Sequence, residues 1–177
     1  MVPKLTSKPK SIQRTNEGSY DTRLTMITRD DIEQAQQSWG DTLIEVGEAS
    51  SWEEAHARAT AMVKQHYHWG ADPVLFGPTR AADQQFRSTV KSAVSYFVGR
   101  DPNHTEDHGF ALQPWKSVRF ENTDVVCMDQ VGLAMGNYFF GQTDGTEVKV
   151  EFSFAYVRNE AGAIQIQLHH SAMPFSG

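Results

Sequence analysis

Apolar residues recur first at helical spacing and later at every second position, so the chain divides into a helical first half and a stranded second half. Ile32, Ala35, Trp39, Leu43 and Val46 form one stripe. Thr28 with Asp31 three residues on makes a capping-box pattern ahead of it. Asp30 and Asp31 suit the positive end of the helix dipole, and Gly47 is a stop signal. A second helix opens at Ser51, with Glu54 completing the same pattern, and its stripe is Ala55, Ala59, Met62 and Val63. Val74, Leu75 and Phe76 predict a short strand that Gly77-Pro78 ends. Thr79 then stands where an N-cap belongs, and the spacing predicts a third helix from Arg80 to about Val98, lined by Phe86, Val90, Val94 and Phe97 and closed by Gly99.

Beyond the polar loop Asp101–Gly109, strand patterns take over. Phe110–Glu121 carries Pro114 and must bend or run along an edge. Thr123–Asp129 and Val131–Phe140 follow. Asp144-Gly145 is a hairpin turn signal. Val148, Val150, Phe152, Phe154 and Tyr156 alternate with Glu147, Lys149, Glu151 and Ser153. After the turn Asn159–Gly162 comes the last strand, Ala163–Ser171. Strict alternation there puts Ile164, Ile166 and Leu168 on one face and Gln165, Gln167, His169 and Ser171 on the other. His170 falls with the apolar face and reads as a core histidine. The uncharged polar row is either solvated surface or a pocket wall. Helices followed by antiparallel strands predict α+β, with the helices on one face of a curved sheet, an order that resembles the nuclear transport factor 2-like cone.

Composition narrows the partners. The chain has 177 residues and a formal net charge of −6, with no basic cluster in the folded part. This argues against nucleic acid and against an anionic membrane. No apolar run approaches the ~18 residues of a membrane span. Cys127 is the single cysteine, so neither an internal disulfide nor a multi-thiolate metal site is open to the chain. Residues 1–25 are rich in Ser, Thr, Lys and Pro without an apolar segment, and read as a disordered leader rather than a secretory signal. The expected compartment is the cytoplasm, or a plastid if the leader is a processed transit remnant.

The candidate chemistry is polar rather than metallic. The seven histidines show no metal-site spacing, and adjacent His169 and His170 point to opposite faces. Phosphate loops and the nucleophile-elbow motif are absent. Thr79, Tyr96, His169 and Ser171 remain as a candidate constellation, each with a plain structural alternative: a helix cap, core packing or a solvated side chain.

Several stretches carry a more specific signal: VLFGPT at Val74–Thr79, SYFVG at Ser95–Gly99, GFALQPWKSVRFEN at Gly109–Asn122, AMGNYFF at Ala134–Phe140 and LHHSAMPF at Leu168–Phe175. From Ile27 onward the chain resembles the iota class of carbonic anhydrase, related to the association domain of calcium/calmodulin-dependent protein kinase II. The family commonly ends in His-His-Ser-Ser, and Ala172 stands here at the fourth position. The resemblance implies reversible hydration of CO2 to bicarbonate by one catalytic domain over residues 26–177, in a cone-shaped homodimer. It implies a pocket to which Thr79, Tyr96, His169 and Ser171 correspond. Members with manganese or zinc and members without metal both exist, and the lack of a ligand set here points to the metal-free kind, with no cofactor. The alternatives from the same fold are a non-catalytic assembly module and a small-molecule isomerase or cyclase.

Overall fold

The computed structural model describes residues 26–177, and the expected leader at 1–25 lies outside the described residues. Three helices precede four long strands, as the change of period predicts. Helix α1, Arg29–Gly47, begins at a capping box in which Thr28 and Asp31 satisfy each other's backbone N–H. It buries Ile32, Trp39, Leu43 and Val46. Helix α2, Trp52–His66, is capped by Ser51 and buries Ala55, Ala59, Met62 and Val63. Strand β1 is only Leu75–Gly77.

The third helix is the main correction. Helix α3 runs from Val90 to Val98, and its N-cap is Thr89, boxed with Ser92. Arg80–Ser88 is not helical although Arg, Ala and Gln fill much of it. Its backbone N–H groups are taken by a distant acceptor: Ala82, Asp83 and Gln84 all donate to the Glu106 carboxylate. That holds the Glu106 carboxyl down to about 2, so it stays an anion and a strong acceptor. Arg87 is buried against Asp107 at 2.8 Å. Phe86, expected on the helix's apolar side, is 74% exposed. Thr79 therefore caps nothing, and its hydroxyl is free for another partner.

The sheet has the order β1-β5-β4-β3-β2, with β2 Trp115–Cys127, β3 Val131–Gln142, β4 Glu147–Arg158 and β5 Ile164–Ala172. The two segments expected at 110–121 and 123–129 are one strand from Trp115, preceded by a single 3-10 turn at Phe110–Leu112. A register shift between Asn122 and Asp124 bends that strand. Gly136 faces the shift, where a Cβ would sit 2.1 Å from the Glu121 carbonyl oxygen. The hairpin turn holds, with Gly145 in the left-handed region at φ 86°. Ala134, Tyr138, Phe140, Val150, Phe152, Phe154 and Tyr156 cover the concave face and pack under α1. Among the described residues no helix is long and apolar enough to cross a membrane.

Candidate active site

Strand β5 does not keep the strict alternation that its sequence suggests. Its ladder with β4 slips between Ala155 and Tyr156: Tyr156 pairs with Ile166, but Ala155 already pairs with Leu168. Gln167 is the extra residue of a bulge, and its amide turns aside to the Pro73 carbonyl at 2.7 Å. One extra residue reverses the facing of everything beyond it. Ile166, His169 and Ser171 are consequently all buried on the concave side, while His170 is exposed. The two histidines do face opposite ways, but His170 is not a core residue. Ala172 lies on the outer side with it.

The parallel pairing of β1 with β5 then delivers Thr79. Phe76 pairs with His169 and Gly77 with His170, so the chain leaves β1 alongside Ser171. Thr79 Oγ1 donates to Ser171 Oγ at 2.8 Å. Tyr138, projecting from β3, lies beside both hydroxyls. Burial pushes its phenol above the ordinary tyrosine range, with Ser171 and Thr79 pulling the other way. Tyr96, on α3, is pushed up by burial as well, with Arg80 and Thr79 beside its hydroxyl as opposing contacts. The fold thus gathers Thr79, Tyr96, His169 and Ser171 at one end of the cone, with Tyr138 among them.

His169 is walled by aromatics. Its ring centroid lies 4.3 Å from Phe154 and 4.7 Å from Phe76. Complete burial holds its imidazole well below the ordinary histidine range, and nearby His170 pushes the same way. The ring is therefore neutral, and its neighbours assign the tautomer. Trp39 Nε1, which can only donate, reaches the Tyr67 hydroxyl at 3.2 Å. Tyr67 lies 2.9 Å from His169 Nδ1 and is wholly buried. Its own O–H needs an acceptor there, so Nδ1 accepts and the ring proton sits on Nε2. Nε2–H then donates to the Tyr138 hydroxyl oxygen at 3.3 Å. Trp39, Tyr67, His169 and Tyr138 form a one-directional chain of donors, and it leaves the Tyr138 O–H to donate among Thr79, Ser171 and whatever they bind.

The family model described as metal-independent carbonic anhydrase matches residues 30–173 of this chain. The chain belongs to that family. It is 31% identical over 153 residues to a metal-independent carbonic anhydrase from Nostoc sp., spanning 84% of this chain and 75% of that protein. It superposes on a cyanobacterial iota-carbonic anhydrase complexed with bicarbonate with a TM-score of 0.83 and 31% identity, covering 86% of this chain and 95% of the other. A calcium/calmodulin-dependent protein kinase II association domain from Xanthomonas campestris shares the fold, at a TM-score of 0.54 and 13% identity over 94% of this chain and all of that one.

In this carbonic anhydrase no group of three or more His, Cys, Asp or Glu side chains is placed to hold a metal ion, among the described residues. His66 is buried in an ordinary role against Thr42 Oγ1, 2.9 Å away. Cys127 is half-buried at the end of β2. Sequence reading missed Tyr67, Trp39 and the hydroxyl of Tyr138. Trp39 lay in the helical stripe and Tyr67 in an irregular stretch past α2, so neither carried a signal beyond core packing.

Proposed function

We infer that this protein hydrates CO2 reversibly to bicarbonate and a proton at the cluster of Thr79, Tyr96, Tyr138, His169 and Ser171. The 2.8 Å bond between Thr79 and Ser171 carries the reading, because it joins two segments distant in sequence beside three further buried polar side chains. Water attack on CO2 turns a linear, nonpolar molecule into a bent anion. Hydroxyl donors already aimed at the new oxygens stabilise that change most where bulk water is excluded. Tyr138, whose O–H is oriented by neutral His169, supplies one such donor. Thr79, Tyr96 and Ser171 orient the attacking water and hold the other oxygens. Phe76, Phe97 and Phe154 are the apolar wall against which CO2 sits.

His169 serves here as a donor rather than a base. Nε2 is already protonated, and a further proton would make a buried imidazolium. Water is activated instead by hydroxyls that accept one proton while passing on another, with Tyr96 the route outward. Asp107, the carboxylate buried among the described residues, is bonded to Arg87 and Ser95. That leaves no free interior carboxylate for the isomerase or cyclase alternative.

The homodimer belongs to the same reading. On the outer face of the sheet Leu75, Leu168, Ala155, Leu133 and Val126 lie in register across all five strands. Leu75, Val126 and Leu133 in that band are 55%, 53% and 40% exposed. A contiguous apolar band marks an interface, and a second copy of the same face is its proposed partner.

The test is stopped-flow CO2 hydration by purified protein, before and after chelation, with metal content measured on the same sample. Activity that survives chelation is the expected result. No activity in either state would overturn the assignment, and activity lost on chelation and restored by one metal would overturn its metal-free part.

A further inference from the structure

We propose that the proton released by CO2 hydration leaves through Tyr96 and a small side cavity to His108 on the surface, and that His108 is the group that hands it to solvent buffer. The proposal rests on the CO2-hydration reading above. Each turnover leaves one proton to remove: CO2 and water become bicarbonate and H⁺. The donor chain through His169 is closed to it, because every hydrogen bond there already points toward the pocket.

Tyr96 offers the other way out. It belongs to the polar cluster through Thr79, and it also lines a cavity of about 80 Å³ bounded by Arg80, Glu106, Asp107, His108 and Phe110. At about 30 Å³ per molecule, that space suits two or three waters. The attacking water's proton passes to the Tyr96 oxygen while the Tyr96 hydrogen passes to cavity water, so the phenol never ionises. The cavity water then protonates His108.

The other charged groups at this rim are committed. Glu106 is pinned by three backbone N–H groups and held down to about 2. Asp107 bonds Arg87 at 2.8 Å and Ser95 at 2.5 Å. Arg80 lies over the Phe110 ring. His108 is exposed, and imidazole is the side chain suited to exchanging protons near neutral pH.

A second cleft of about 280 Å³ reaches Thr79 and Ser171 from the far side, rimmed by Phe86, Met173 and His170. It adjoins the outer sheet face assigned above to the dimer, and its apolar rim suits CO2 rather than a proton. His170, at the same rim as Thr79 and Ser171, is the rival exit.

CO2 hydration by wild type, His108→Ala, His108→Gln and His170→Ala separates the two routes, each measured at low and at high concentration of an imidazole buffer. In low buffer both His108 variants should lose kcat on the order of 10²-fold, the lower end for a positioned proton-transfer group. Their kcat/KM should stay near wild type, and added imidazole should restore kcat. Unchanged kcat in low buffer, a loss that imidazole leaves in place, or the same signature in His170→Ala instead would overturn the exit. An inactive wild type would overturn the hydration reading itself.

Discussion

The Tyr67 hydroxyl lies 2.9 Å from Nδ1 of His169, 102 positions away in the chain. That contact decides which nitrogen of the imidazole holds the proton, and so whether Tyr138 receives a donor. Tyr67→Phe removes the acceptor of the Trp39 indole and the donor to Nδ1 together. Each buried group left unpaired costs about 1–3 kcal/mol. The urea midpoint should fall accordingly. ¹⁵N spectra of His169 should show the Nδ1–H form appearing and CO2 hydration should drop. An unchanged tautomer in a folded variant would break the chain from Trp39 to Tyr138.

Ser171→Ala and Tyr138→Phe each delete a donor at the pocket. Losing one positioned donor to a developing oxyanion costs roughly 10²–10³-fold in kcat. Both variants should keep the wild-type circular dichroism spectrum, since only a hydroxyl is lost. Full hydration activity in both would place the reaction elsewhere.

His66 predicts an acid limit to stability. Burial lowers its folded pKa to about 4, against about 6.5 in an unfolded chain. Below pH 6.5 the unfolded chain therefore binds a proton that the folded chain refuses. The contribution is complete above about pH 6.5 and is lost as pH falls through about 4, on the order of 3 kcal/mol in all. His169 acts in the same direction. Glu54 and Glu106 are held down to about 2, so their losses come mainly below pH 4.5. Urea unfolding from pH 7 to pH 4.5 should show falling stability in wild type and a shallower fall in His66→Gln. Equal slopes would remove His66 from the account.

Leu133→Glu places a charge in the middle of the outer apolar band. Sedimentation velocity should show wild type as a dimer and the variant as a folded monomer. A monomeric wild type would remove the dimer, and a variant dimerising as well as wild type would move the interface off this face.

Local signals found the helices and most of the sheet because their causes are local. The Thr28–Asp31 box, the α1 stripe and the Asp144-Gly145 turn lie within a few residues of what they determine. The failures were set from a distance. Arg80–Ser88 has helix-forming residues, but Glu106 takes its amides. Alternation in β5 was read through a bulge that only the pairing with β4 defines. The four candidate residues came together because the family motifs carried them. Tyr67 stayed hidden because a buried tyrosine is legible in sequence as a ring and not as a hydroxyl.

The bulge at Gln167 makes the pocket a matter of counting. A point substitution in β5 alters one side chain and leaves its neighbours facing as they did. If the ladder instead ran on from Ile166 without the extra residue, His169 and Ser171 would turn outward and Leu168 and His170 inward. The pocket would lose its histidine and its serine with no change in composition. Transplanting this chemistry onto another cone of the same fold therefore requires copying a strand length as well as five side chains.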